Sequence, residues 1–236
     1  MTDLRVILWD IDGTLLHSRR HGAFKEYMAP AMARVFGTAG RLDEMVVSGM
    51  TDLQIFVEAL RDEGFTAGQV RDRLPELVAL FVEGMERLAA AEELFRALPG
   101  AGAALAALER EPRYLNSLLT GNVEPAARLK LRLVGLEDFF RLPGAFGELS
   151  HDRRDLPAVA RERVSRHLGG DLRPGQLVVI GDTPNDIACA RHFGARAVAV
   201  ATGRSHTAAD LLRHEPDAVL PDLADTELLL RTLAAL

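Results

Sequence analysis

The stretch "RVILWDIDGTLLHS", residues 5–18, carries a short apolar run into Asp10, Ile11, Asp12, Gly13 and Thr14. An apolar run of this length that ends on a polar glycine turn reads as a buried parallel strand, delivering its last residues to the edge of a sheet. Two carboxylates so close to a core repel each other unless a cation, a proton or a ligand lies between them. The segment therefore calls for a partner, and the remainder of the chain offers candidates.

Further apolar runs with strand character occur at 114–119, 177–180 and 195–201, with a shorter edge-strand candidate at 217–220. Helical patterns alternate with them at 101–110, 123–134, 157–168, 184–193, 207–214 and 223–235. This alternation predicts an α/β fold, a Rossmann-like, doubly wound parallel sheet covered on both faces. One interval breaks it. Between 17 and about 95 no strand is expected, whereas 23–36, 52–60 and 74–91 read as amphipathic helices. That interval is too long for an ordinary crossover, which predicts an inserted helical cap. The expected organisation is a core of residues 1–16 and 97–236 and a helical cap of residues 17–96.

A formal charge of −6 argues against nucleic acid as a partner, since phosphate backbones need a basic face. No window approaches the ~20 continuous apolar residues of a membrane span. The first residues, "MTDLRV", show no secretory pattern, and Cys189 is the single cysteine, so no intrachain disulfide forms. The expected location is the cytoplasm, and the expected assembly a monomer or homodimer. Lys25 and Lys130 are the only lysines among many arginines, a usage that reads as coding bias.

In an open parallel sheet, ligands bind beyond the carboxyl ends of the strands. There the first strand brings Asp10 and Asp12, the next Thr120, Gly121 and Asn122, and the strand at 177–180 brings Asp182 through Asp186. Clustered carboxylates require a counter-ion, and oxygen-only ligation with a phosphate ligand suits Mg²⁺. A helix beginning near Val123 aims its N-terminus at the same rim and favours an anion. Metal, carboxylate nucleophile and anion hole are the parts of a phosphoryl-transfer site.

The segments "DIDGT", "LLTGN" and "GDTPND", in this order, resemble the haloacid dehalogenase-like hydrolase superfamily. Its phosphoglycolate-phosphatase-like members are the nearest in pattern, and the helical insertion resembles their mobile cap. The resemblance implies that Asp10 attacks phosphorus and Asp12 serves as general acid and then base. It implies that Thr120 binds the transferring group with Gly121 and Asn122. The metal would be held by Asp10, the backbone carbonyl of Asp12 and Asp182, with Asp186 acting through a water or from behind. The superfamily usually supplies a lysine before the "GD" strand. Here that segment, "GELSHDRRDLPAVARERV", contains none, so Arg153 takes the role, with Arg154 as the alternative and a further phosphate-binding candidate.

Asp12 favours phosphate esters over haloacids, because a halide leaving group needs no acid. The implied activity is hydrolysis of a small phosphorylated metabolite, phosphoglycolate-like or a sugar phosphate. The alternatives are β-phosphoglucomutase-type transfer, 2-haloacid dehalogenation and a catalytically silent binding protein. Within the cap, Thr51 and Gln54 fit a helix-opening capping box. The surrounding loop, "SGMTDLQI", also lies where capped relatives face substrate, which keeps Thr51 as a binding candidate with Met50 and Asp52.

Overall fold

The computed structural model describes residues 4–236. In chain order it contains β1 (Arg5–Trp9), β2 (Leu16–Ser18), α1 (Lys25–Phe36), α2 (Asp52–Leu60), α3 (Ala67–Asp72), α4 (Leu74–Ala91), β3 (Phe95–Ala97), α5 (Ala101–Glu109) and β4 (Tyr114–Leu118). There follow α6 (Glu124–Leu133), α7 (Leu156–Leu168), β5 (Leu177–Gly181), α8 (Pro184–Phe193), β6 (Arg196–Val200), α9 (Ala208–Leu212), β7 (Ala218–Leu220) and α10 (Thr226–Ala235).

Five strands form a parallel sheet in the order β4-β1-β5-β6-β7. Because successive side chains of a strand face opposite ways, β1 feeds two cores. Ile7 and Trp9 join the cluster that contains Leu105, Leu108 and Leu233, from α5 and α10. Val6 and Leu8 join the cluster of Leu156, Ala160 and Ile187, from α7 and α8. All four are fully buried, which is why the strand reads as a continuous apolar run and not as an alternating one. Each such side chain contributes about 1.5–3 kcal/mol of transfer free energy. Trp9 also donates its indole N–H to Asn116 Oδ1 at 2.9 Å, so its one polar atom is satisfied inside the core.

The chain leaves β1 for β4 on one side and later returns to β5 on the other. That reversal opens a crevice at the carboxyl end of β1, between the ends of β4 and β5, where the fold places ligands.

The interval expected to lack strands is helical, carrying α1 to α4, but its two ends pair. Strands β2 and β3 form an antiparallel ribbon, with Leu16 opposite Ala97 and Ser18 opposite Phe95. Three-residue strands have no periodicity to read, and closure of the chain makes this ribbon. It ties the start and end of the helical insertion together beside the crevice. Helix α3, also unanticipated, is a six-residue turn opened by a Thr66–Gln69 capping box. Phe81 anchors the insertion, lying 6.3 Å from the Tyr27 ring and 5.9 Å from that of Phe56. No helix among the described residues is long and apolar enough to cross a membrane.

Candidate active site

Asp10, Thr120 and Asp182 stand just past the ends of β1, β4 and β5, on turns whose backbones prolong the sheet. The Asp10 amide donates to the Ile180 carbonyl at 2.9 Å, and the Leu119 amide donates to the Trp9 carbonyl at 2.9 Å. Gly13 lets the first turn pass under the third: its φ is +90°, and a Cβ there would overlap the Asp182 carboxylate. Thr14 reinforces the contact by donating its hydroxyl to Asp182 Oδ1 at 3.2 Å.

Asp10, Asp182 and Asp186 each present a carboxylate oxygen within 4.8 Å of the others. All three are buried. Asp186 sits in the first turn of α8, where the Thr183 amide and hydroxyl donate to its Oδ2 at 3.0 and 2.7 Å. Its other oxygen pairs with the Arg153 guanidinium, which also lies 3.0 Å from Asp10 Oδ1. Burial raises the Asp182 carboxyl well above the usual range, and Asp10 and Asp186 push it further. Burial likewise raises Asp10, with Arg153 opposing and Asp186 and Asp12 adding to the shift. For Arg153, burial works against the charge, but Asp186 and Asp10 outweigh it and raise its pKa.

Three buried carboxylates facing one guanidinium are short of positive charge. Their oxygen-only donor set fits a hard divalent cation. Of the two carboxylates in residues 5–18, Asp10 thus meets Arg153 and lies within 4.8 Å of the Asp182 and Asp186 oxygens.

Asp12 turns the other way, with its side chain 44% exposed toward the cavity. Its Oδ2 accepts from the Asn122 amide at 2.7 Å and from Lys130 Nζ at 2.6 Å. Lys130 also donates to Asn122 Oδ1 at 2.6 Å, and Asn122 Nδ2 donates to Thr120 Oγ1 at 2.8 Å. Lys130 is buried; its burial disfavours the ammonium, but Asp12, Tyr27 and Asp52 more than restore it, raising the pKa. The sequence reading gave Lys130 no role in the site. A signal was present: Lys130 lies three and four residues after Ala127 and Ala126, on the buried face of α6.

Two expected phosphate contacts lie elsewhere. Arg154 is mostly exposed and pairs with Asp152 at 2.6 Å, so it faces solvent and not the carboxylate cluster. Thr51 is fully buried as the N-cap of α2; its hydroxyl accepts from the Gln54 amide at 3.1 Å, and the residue does not line the cavity. The capping reading of Thr51 accounts for it. Met50 and Asp52, its neighbours, do line the cavity, as do Gly121 and Asn122.

The cavity measures about 530 Å³. Its floor carries Asp10, Asp12, Thr120 and Arg153, and its walls include Tyr27, Met28 and Phe81 of the insertion. The loop before α2 descends onto the rim: the Gly49 carbonyl accepts from Asn185 Nδ2 at 2.9 Å and from Arg153 Nη1 at 3.3 Å. Only glycine suits that point, with φ +73° and a Cβ that would fall 2.7 Å from Asn185 Nδ2.

Asp52 makes the second junction. Its amide donates to the Gly121 carbonyl at 2.7 Å, and its Oδ2 accepts from the Val123 amide at 2.8 Å, capping α6 from another element. Burial pushes the Asp52 carboxyl up to about 7, with Lys130 and the Val123 amide opposing. A carboxyl raised on folding binds its proton more tightly in the folded than in the unfolded chain. Its contribution to stability is therefore full below the unfolded pKa of about 3.9 and is lost as pH rises toward 7. Asp52→Asn, which keeps an acceptor for Val123, is expected to be more stable than the wild type at pH ~8, with the advantage shrinking by roughly 1 kcal/mol per pH unit on acidification. Thermal unfolding of both proteins across this range checks it.

Cys189 is buried on α8, and burial pushes its thiol up to about 12, as suits an inert core residue. Arg20 pairs with Glu26 and Glu92 in an exposed cluster at the base of the insertion.

Sheet order and helical insertion give an α/β, Rossmann-like fold that gathers Asp10, Asp12, Thr120, Arg153, Asp182 and Asp186 at one edge of the sheet. Residues 154–226 match the family model described as HAD-hydrolase-like. Among solved structures, the chain resembles a predicted phosphoglycolate phosphatase of Haemophilus somnus 129PT, at 20% identity and TM-score 0.64, over 98% of this chain and 99% of that one. It resembles β-phosphoglucomutase of Clostridium difficile at 14% identity and TM-score 0.67, over 98% of each chain. It also resembles CbbY of Rhodobacter sphaeroides, crystallised with xylulose-1,5-bisphosphate, at 17% identity and TM-score 0.66, over 94% of this chain and 96% of that one. No curated protein matches at the sequence level.

Proposed function

We propose that the chain hydrolyses small phosphomonoesters through an aspartyl phosphate on Asp10, with Mg²⁺ as cofactor. The observation that carries this reading is the Asp10–Asp182–Asp186 cluster within 4.8 Å, with Arg153 against the proposed nucleophile. Asp10 Oδ forms a bond to phosphorus as the ester oxygen departs with its electron pair, taking a proton from Asp12. In the second half, Asp12 removes a proton from water as its oxygen attacks phosphorus, and Asp10 leaves as carboxylate. Thr120 Oγ1 already accepts from Asn122, so its own O–H is free to donate to a phosphoryl oxygen. Arg153 orients Asp10 and offers further N–H groups to the phosphoryl group. Asp10, Asp182 and the Asp12 carbonyl would hold the metal, with Asp186 behind them; when bound, it neutralises charge on the phosphoryl oxygens.

Residues 17–96 act in this reading as a cap, opening for substrate and closing to keep bulk water from the first step. The Gly49 and Asp52 junctions are the contacts such an opening would break. A cavity of about 530 Å³ with apolar walls suits a small ester, phosphoglycolate-like or a sugar phosphate. The similarity to phosphatases and to phosphoglucomutase supports phosphoryl chemistry on this fold.

A panel of phosphate esters with Mg²⁺ tests the reading. Release of inorganic phosphate without a bisphosphate activator is expected; conversion of a sugar phosphate only with such an activator would show a mutase, and silence across the panel would refute both. The cofactor assignment has its own readout. Saturating Mg²⁺ is expected to raise the thermal midpoint of the wild type, by the equivalent of about 2.7 kcal/mol at a hundred times the dissociation constant. Asp182→Asn should lose that shift.

A further inference from the structure

The mechanism above leaves one buried charge unused. Lys130 is a lysine on the inner face of α6, closed off from solvent except at the cavity it lines. A buried ammonium is costly unless well paired, and a methionine would fill the same position without that cost. What Lys130 does instead is close a triangle. It donates to Asp12 Oδ2 and Asn122 Oδ1, both at 2.6 Å, while Asn122 Nδ2 reaches the same Asp12 oxygen at 2.7 Å. Every protein hydrogen bond to the Asp12 carboxylate falls on Oδ2; among the described residues Oδ1 has no donor.

Asn122 uses both amide hydrogens, one on Asp12 Oδ2 and one on Thr120 Oγ1 at 2.8 Å, and its own Oδ1 is held by Lys130. The ammonium fixes both side chains at once, and the Phe95 ring, 5.5 Å from Nζ, closes one side around it. The backbone that carries the group is fixed as well. Helix α6 is capped by Asp52 of the insertion, so the part of the chain proposed to close over substrate is tied to the element bearing Lys130.

We propose that Lys130 is a positioning residue for Asp12. By pinning Oδ2 it leaves Oδ1 directed at the oxygen of the departing alcohol, the place a general acid must occupy. The site then uses two buried cations for two tasks: Arg153 serves the nucleophile Asp10, and Lys130 serves the acid–base group. This assignment rests on the phosphatase reading above.

A misplaced acid harms esters in proportion to how much their leaving group needs a proton. The test compares an alkyl phosphate from the active panel with p-nitrophenyl phosphate, whose leaving group departs as a stable anion. For Lys130→Met, kcat/KM on the alkyl ester is expected to fall ~10²-fold, and on the aryl ester by less than about 3-fold. In an Asp12→Asn background the same replacement should cost less than about 3-fold on either ester, since a residue acting through Asp12 has nothing left to position. The ratio of the two esters is unaffected by the fraction of protein folded. Should Lys130→Met not fold at all, Lys130→Gln, which keeps one donor, is read by the same ratio.

Equal losses on both esters, or an undiminished loss in the Asp12→Asn background, would show a structural role and overturn the proposal while the phosphatase reading stands. A wild type that turns over no ester would overturn both.

Discussion

Asp10→Asn will lose about 10⁴-fold or more of phosphate-ester turnover and will remain folded. The amide keeps the size of the carboxylate but is no nucleophile, so the first displacement has no attacking group. Deleting a nucleophile removes a step of the reaction, which is why the loss exceeds that expected for any group that only orients or stabilises. Folding should not suffer. Asp10 and Asp186 share the Arg153 guanidinium, so Arg153 keeps Asp186 as a partner when Asp10 becomes neutral. In metal-free buffer the variant's thermal midpoint is expected to equal or exceed that of the wild type. A lower midpoint would mean that the loss of turnover reports unfolding, and a retained turnover would remove Asp10 from the chemistry.

Arg153→Met carries the second large effect, on stability and activity together. Its guanidinium lies between Asp10 and Asp186 with only 7% of the side chain exposed. Removing one partner of a buried ion pair costs about 3–5 kcal/mol, because the remaining charge stays buried and unpaired. For a chain of this size each kcal/mol shifts the midpoint by roughly 2–4 °C, so a fall of the order of 10 °C is expected without metal. Turnover should drop by about 10²–10³-fold, the usual consequence of losing a preorganised charge beside the reacting group. The neighbouring Arg154→Met is the control: an exposed arginine paired with Asp152 should change stability by no more than about 0.5 kcal/mol and leave turnover alone. Reversed effects would exchange the roles of the two arginines.

That pair shows how far the sequence can be read. Arg153 and Arg154 are identical in chemistry and adjacent in the chain, and in the sequence only their spacing from the helix expected to start near Pro157 separates them. In the fold a single turn at 153–155 sends the first arginine inward and the second out. The sheet was legible for a similar reason. Strands buried on both faces are continuous apolar runs, and the polar glycine turns after β1, β4 and β5 mark which end of the sheet holds the site.

What escaped reading depended on contacts between distant segments. The β2–β3 ribbon has no pattern of its own, since residues 16–18 and 95–97 become strands only by meeting each other. Asp52 lies in a loop suspected of facing substrate, and it does line the cavity, but its cap on α6 involves an amide 71 positions away. Lys130 was not singled out, because its partner Asp12 is 118 positions distant and nothing in the sequence joins them.

In the proposed reaction Asp10 becomes esterified with phosphate during turnover. Quenching the working enzyme in acid within one turnover and mapping its peptides by mass spectrometry tests this directly. One added phosphoryl group is expected on the peptide bearing Asp10, removed by hydroxylamine as an acyl phosphate should be and absent from Asp10→Asn. Steady release of inorganic phosphate with that peptide unmodified, or with the phosphoryl group on another residue, would contradict it.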